Sequence, residues 1–321
     1  MKIAFFVLTL LALLGSALVG KVNLDFTKLF DTGSMEYQIF TQIRLPRVLL
    51  AFISGGILAL AGLLFQTLFR NPLTTPFTLG ISSGATLGAA TAIIFGLGGG
   101  VLGFSFVTLL GFLGAFSTVL LIYIFSQKLP STSDQRLILV GIALSFLYSS
   151  LLLVIYYLSD FQESYLILRF TMGSLLTVGY GDIVPVALSA LVVLWSAKRY
   201  AYALKLFSIS EEFAFLQGVE VQRVMMVLFT TISLSVGVLV SVVGPISFIG
   251  LIIPHMVKRV MQKSIEWTIL PTFVSGGLFL LLCDTIARTL PTVSEIPVGI
   301  ITSLLGGALF VWILLRKKGV S

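Results

Sequence analysis

Apolar residues in this chain come in long blocks without charge, not in alternating or short amphipathic patterns. Ile3–Gly20, Val48–Phe69, Leu137–Ser159 and Ile296–Leu315 contain no Asp, Glu, Lys or Arg. Leu73–Gln127 is another uncharged run, too long for one helix and divided by "FGLGGG" at Phe95–Gly100. Because a helix needs about 20 apolar residues to cross the hydrocarbon layer, blocks of this length predict membrane spans. Cut at charges, prolines and glycine clusters, the pattern predicts about ten helical crossings. They lie near 3–20, 47–69, 79–97, 102–126, 136–158, 183–203, 222–243, 247–260, 268–288 and 297–315. Two shorter helices are predicted near 164–174 and 209–217. The opening run also has the make-up of a signal peptide, but is expected to be a retained first helix. The expected fold is an all-α polytopic membrane protein forming one transmembrane domain over 1–321. Pro254 interrupts the eighth crossing and deprives one carbonyl of its helical donor, so protein should enclose this segment.

Composition agrees: 57% of residues are hydrophobic, 10% are charged, and mean hydropathy is +1.10. A soluble domain carries about 25% charged residues. The net charge of +7 does not imply nucleic acid, because the basic residues lie between predicted spans, where they set topology. With the N-terminus inside, all but six of the 20 Lys and Arg fall on the cytoplasmic side. The six are Lys21, Lys28, Arg44, Arg47, Arg169 and Arg288, and the bias predicts both termini in the cytoplasm. A single cysteine, Cys283, excludes an intrachain disulfide or a thiolate-held metal. A single histidine, His255, excludes bis-histidine haem ligation and reads as an interfacial hydrogen-bonding residue. No metal site and no cofactor in this chain are expected.

Two short motifs are misleading. "TVGYGD", Thr177–Asp182, has the letters of a potassium selectivity filter, in which carbonyls of four such loops replace an ion's hydration shell. The number of additional crossings argues for a Gly-rich turn leading into the sixth crossing instead. "GSALVGKV", Gly15–Val22, begins like a P-loop but has Val where the magnesium-binding Ser or Thr belongs, so no nucleotide site is expected. An ion-coupled carrier would need intramembrane carboxylates, and Asp284 is the one candidate, four residues before Arg288.

More informative are residues that prepare helix contacts and ends. Gly55, Ala59 and Gly62, and again Gly80, Gly84 and Gly88, form small-residue stripes that let helices approach closely. Pro46 suits a helix start, and Arg44 and Arg47 should share its outer end. The order Asp284-then-Arg288 favours an ion pair within one helix. In "SISEEFAFLQGVEVQRV", Ser208 and Glu211 have capping-box spacing, acids fill the first turn, and Gly218 offers a stop. The expected short cytoplasmic helix offers Phe213, Phe215 and Leu216 to a partner's groove.

Four motifs in collinear order cover nearly the whole chain. They are "RLPR"; "G-x-x-Q-x-x-x-x-NPL-x-x-P-x-x-LGISSGA"; "GPISFIGLIIPH"; and "DTIARTL" followed by "EIPVGIITSLLGGALFVWIL". In these the chain resembles the permease subunits of type II ABC importers for iron–siderophores, haem and vitamin B12. The resemblance implies a ten-crossing permease in the bacterial inner membrane, paired with a second permease that is either a copy or a paralogue. It implies two cytoplasmic ATPases that bind the ATP and magnesium, and an external substrate-binding protein. By residue-wise match it makes Arg44, Arg47 and Arg288 the docking residues for that protein. Ser208, Glu211, Glu212, Phe213, Phe215, Leu216 and Gly218 become the ATPase-coupling segment. Asn71, Leu73, Thr132 and Ser133 become a cytoplasmic gate. The expected cargo is a ferric siderophore, with haem and cobalamin as alternatives.

Overall fold

The computed structural model describes residues 2–20, 25, 27–28, 31–97, 99–101, 104–128, 134–290 and 295–316. The helices are α1 (Lys2–Leu18), α2 (Met35–Gln38), α3 (Leu45–Leu68), α4 (Ile81–Ile94), α5 (Phe106–Lys128), α6 (Asp134–Leu158) and α7 (Phe161–Thr171). They continue with α8 (Ile183–Arg199), α9 (Ala201–Phe207), α10 (Glu211–Leu216), α11 (Val221–Val243), α12 (Ile249–Met261), α13 (Ile265–Thr289) and α14 (Val298–Arg316). A π-helical segment, Ile39–Arg44, joins α2 to α3. Two-residue strands pair antiparallel before α5, Gly100 opposite Ser105 and Val101 opposite Phe104. The chain is an all-α polytopic membrane protein.

Among the described residues, five helical stretches are long and apolar enough to cross a membrane. Joined across a 64° bend, α8 and α9 make a sixth. Shorter apolar helices lie at Val7–Leu18, Ile81–Ile94 and Val298–Ile313. Length and composition alone therefore establish fewer crossings than the ten expected. Of the shorter helices, α4 is largely buried against its neighbours, whereas the helices at Val7–Leu18 and Val298–Ile313 leave leucines exposed.

Burial identifies the central helix. The continuous stretch Met35–Leu68 is 83% buried along its most apolar window, against 28% for α5 and 17% for α6. A helix apolar on all sides belongs in the middle, and one that leaves leucines outward faces lipid. Around α3 pack α12, α13 and α8. Gly55 of α3 meets Gly276 of α13, and Gly62 meets Gly250 of α12. A β-carbon on either α3 glycine would overlap the opposing carbonyl. Gly84 and Gly88 pack α4 onto α5 at Gly114 and Leu110. Gly80 is not part of that stripe. It precedes α4 in a left-handed conformation, φ +77°, against the backbone of Gly141.

The proline breaks explain much of the remaining architecture. Proline has no N–H, so the carbonyl four residues earlier needs another donor. Pro254 leaves Gly250 O open, and the side-chain amide of Gln66 donates to it at 3.0 Å. Pro46 has its open position at Gln42 O, which accepts the backbone N–H of Gly179 at 2.8 Å. Helical winding begins well before Pro46, at Met35, so this proline does not start the helix as its local sequence suggested. The short α7 starts at an unforeseen capping box: Asp160 accepts from Glu163 N, and its own N–H donates to the Glu163 carboxylate.

Candidate functional site

One end of the bundle gathers the charges. Asp284 of α13 is fully buried and accepts from Arg47 of α3 through Nε at 3.0 Å and Nη2 at 2.9 Å, both at Oδ1. Its Oδ2 lies 3.0 Å from Arg288 Nε, at an angle too oblique for a hydrogen bond, so this contact acts through charge. Glu295, between α13 and α14, takes Arg47 Nη1 at 2.6 Å. Arg288 and a third arginine, Arg44, also close the end of α1, whose last carbonyls have no helical donors. Arg44 donates to Leu18 O at 2.7 Å and Arg288 to Val19 O and Ser16 O at 3.2 Å. Arg288 Nη2 also donates to Ser16 Oγ at 2.8 Å. Positive groups here complement the negative end of the α1 dipole.

Arg44, Arg47 and Arg288 are thus brought together, as the sequence suggested, but are only 5%, 6% and 4% exposed. In this chain they form a buried clamp joining α1, α3 and α13. The intrahelical Asp284–Arg288 pair is present, and Arg47 makes it a three-residue network. Glu295 was missed, although it stands at the head of a quoted motif beside the predicted outer helix ends. The α1 carbonyls carried no local signal, because main-chain acceptors look alike in any sequence.

At the same end lies the filter lookalike. Gly179, with φ +72°, turns the chain so that its N–H reaches Gln42 O, while Tyr180 Oη donates to Thr41 O at 3.0 Å. Asp182 accepts from Thr177 Oγ1 at 2.9 Å. These groups brace the π-helical segment before α3, which is why a Gly-rich turn is needed here.

The opposite end carries α10. Its N-cap is Ser210, whose Oγ accepts from Phe213 N at 2.9 Å. Ser208 is not the cap: it is still wound in the last turn of α9 and donates to Lys205 O at 2.6 Å. The capping-box spacing from Ser208 was two residues out of register because α9 runs on to Phe207. Gly218 stops the helix at φ +80°. Phe215 and Leu216 are 71% and 79% exposed, Phe213 is partly exposed, and Ala214 packs inward. Glu211 pairs with Arg70 at 3.1 Å, tying α10 to the end of α3, and Glu212 shares the first turn. Asn71 and Leu73 form the adjoining turn, with Asn71 Oδ1 accepting from Leu73 N at 2.9 Å. Thr132 and Ser133 lie outside the described residues.

The charge clamp at one end of the apolar bundle and the apolar helix displayed at the other belong to a polytopic membrane protein, and comparison with known proteins gives its class. A family model, the FecCD transport family, matches residues 8–316, and the chain belongs to that family. It is 35% identical over 97% of its length to the hemin transport system permease protein HmuU of Yersinia pestis, covering 94% of that protein. It is 33% identical over 98% of its length to the vitamin B12 import system permease protein BtuC of Yersinia enterocolitica, covering 92% of it. A solved inward-facing structure of a metal-chelate type ABC transporter superposes with a TM-score of 0.85 at 29% identity, covering 98% of both chains.

Proposed function

We propose that this chain is the transmembrane permease subunit of an ABC importer that admits a metal chelate, a ferric siderophore in the first instance. The match to the FecCD family across nearly the whole chain carries the reading. The hemin and vitamin B12 permeases among its relatives make haem and cobalamin the alternative cargoes. We place the protein in the bacterial inner membrane with ten crossings, both termini in the cytoplasm and the arginine end outside. In this reading a second permease, a copy or a paralogue, completes the conduit. Two cytoplasmic ATPases supply the ATP-driven step, and a substrate-binding protein delivers cargo from outside.

The exposed apolar surface of α10 supports its role in docking to an ATPase: a short helix presenting Phe213, Phe215 and Leu216 suits insertion in a groove. Asn71 and Leu73, next to it, are assigned to the gate with Thr132 and Ser133. At the outer end, Arg44, Arg47 and Arg288 are assigned to binding-protein docking through a rim they shape from within. Glu295, whose side chain is 34% exposed, gives that rim a polar surface. The test is co-purification with the ATPase. The chain co-assembled with its cognate ATPase should bind it through α10, and Phe215→Asp with Leu216→Asp should abolish co-purification while leaving the chain folded. Undiminished assembly of that variant overturns the coupling assignment.

A further inference from the structure

The gate loop and the start of α12, a helix with Pro254 inside it, face each other across a cleft of about 290 Å³. Leu73, Thr75 and Thr78 line one wall, and Ile246, Phe248 and Leu251 the other. The second wall is under strain: Phe248 holds φ +68°, a conformation that bulky side chains rarely adopt, immediately before α12. Gln66 joins α3, the helix that leads into the loop, to α12. It is buried in the last turns of α3, five residues before Asn71, and its Nε2 donates to Gly250 O at 3.0 Å and more weakly to Leu251 O at 3.4 Å. Gly250 O is the carbonyl that Pro254 leaves without a helical donor. Gly62, one helical turn back on α3, lets the two backbones come close enough for this contact.

We propose that Gln66 is a positioning residue for the gate, its amide standing in for the N–H that Pro254 lacks and so fixing the first turn of α12 against the Asn71–Thr78 loop. The name of that loop rests on the importer reading; the Gln66–Pro254 complementarity does not. With Pro254 inside it, α12 lacks one backbone donor, and the side-chain donor on α3 couples its first turn to the helix that leads into the loop. Leucine at position 66 keeps the volume but leaves Gly250 O unpaired. Alanine at position 254 restores a backbone donor and makes Gln66 dispensable.

The test uses the full-length chain in proteoliposomes, carrying Ser247→Cys on the cleft wall as a reporter and buried Cys283 as a silent background. N-ethylmaleimide reads cleft opening without any ATPase. Gln66→Leu should raise the labelling rate about tenfold, equivalent to ~1.4 kcal/mol, from the loss of one buried hydrogen bond. Adding Pro254→Ala to Gln66→Leu should bring the rate back to within about twofold of the starting protein, since the carbonyl regains its donor. An unchanged rate in Gln66→Leu, or a double variant no slower than the single, overturns the proposal. Should Gln66→Leu alone fail to fold, recovery of folded protein by Pro254→Ala supports it and failure of recovery overturns it. The same variants in the ATPase-bound complex should show lost and regained ATP-driven uptake. Absence of uptake from the unaltered complex counts against the importer reading and leaves the labelling result standing.

Discussion

Asp284→Asn tests the charge clamp most sharply. The carboxylate is completely buried and faces Arg47 and Arg288, whose side chains are 7% and 5% exposed, so water cannot replace it. Removing one member of a buried ion pair costs roughly 3–5 kcal/mol, because the remaining charge stays desolvated. Here Glu295 still holds Arg47, and the α1 carbonyls still hold Arg288, which sets the expectation near the lower limit, about 3 kcal/mol. At roughly 2–4 °C per kcal/mol for a large chain, the melting temperature should fall by at least about 6 °C. The protein contains its own reporter: Cys283 is its one cysteine and is buried, so a fluorogenic thiol dye reads unfolding of the detergent-purified chain. Because Arg288 also binds Ser16 and Val19, early loss of protection should begin at α1, visible as faster hydrogen exchange there. A melting temperature within about 1 °C of the native protein would refute the clamp as a stabilising unit, given the size of the buried-charge effect.

Gly62→Val should prevent close packing of α3 on α12. Overpacking typically costs about 1–3 kcal/mol and here strikes a backbone carbonyl, so loss of the monodisperse folded fraction in size exclusion is expected. Glu211→Ala removes an ion pair whose side chains are 44% and 27% exposed, so stability should change by less than about 1 kcal/mol while ATPase stimulation falls; a large melting shift with intact stimulation contradicts the assignment. Gly179→Ala forces a β-carbon into a left-handed residue and should cost about 1–2 kcal/mol, measured by thermal melt. Potassium flux into vesicles holding the unaltered chain should stay at background, and a conductance sensitive to Gly179 would overturn the reading of that turn.

The helical class and the general order of the elements were legible because uncharged blocks such as Val48–Phe69 admit few other structures. Helix ends were less so. Ser208 looked like a cap because local spacing cannot reveal that α9 continues through Phe207. Pro46 looked like a start because nothing local announces winding from Met35 through a π-helical segment. The need to shelter Pro254 followed from its missing N–H, but the partner, Gln66, is 184 positions away from the carbonyl it serves. The gathering of Arg44, Arg47 and Arg288 was expected. Their burial was not, since it depends on acceptors at the end of α1 and on Glu295, which only the folded chain brings near. The filter lookalike shows the converse: six familiar letters acquire their role from Gln42 and Thr41.

The central claim is that this permease has no energy source of its own. Proteoliposomes containing the chain with its cognate ATPase and binding protein, loaded outside with a radiolabelled ferric siderophore, measure this directly. Accumulation that requires ATP and both partners, and that disappears with the Phe215→Asp and Leu216→Asp changes, is the predicted result. Uptake by the chain alone, driven by a proton gradient and indifferent to ATP, would contradict it.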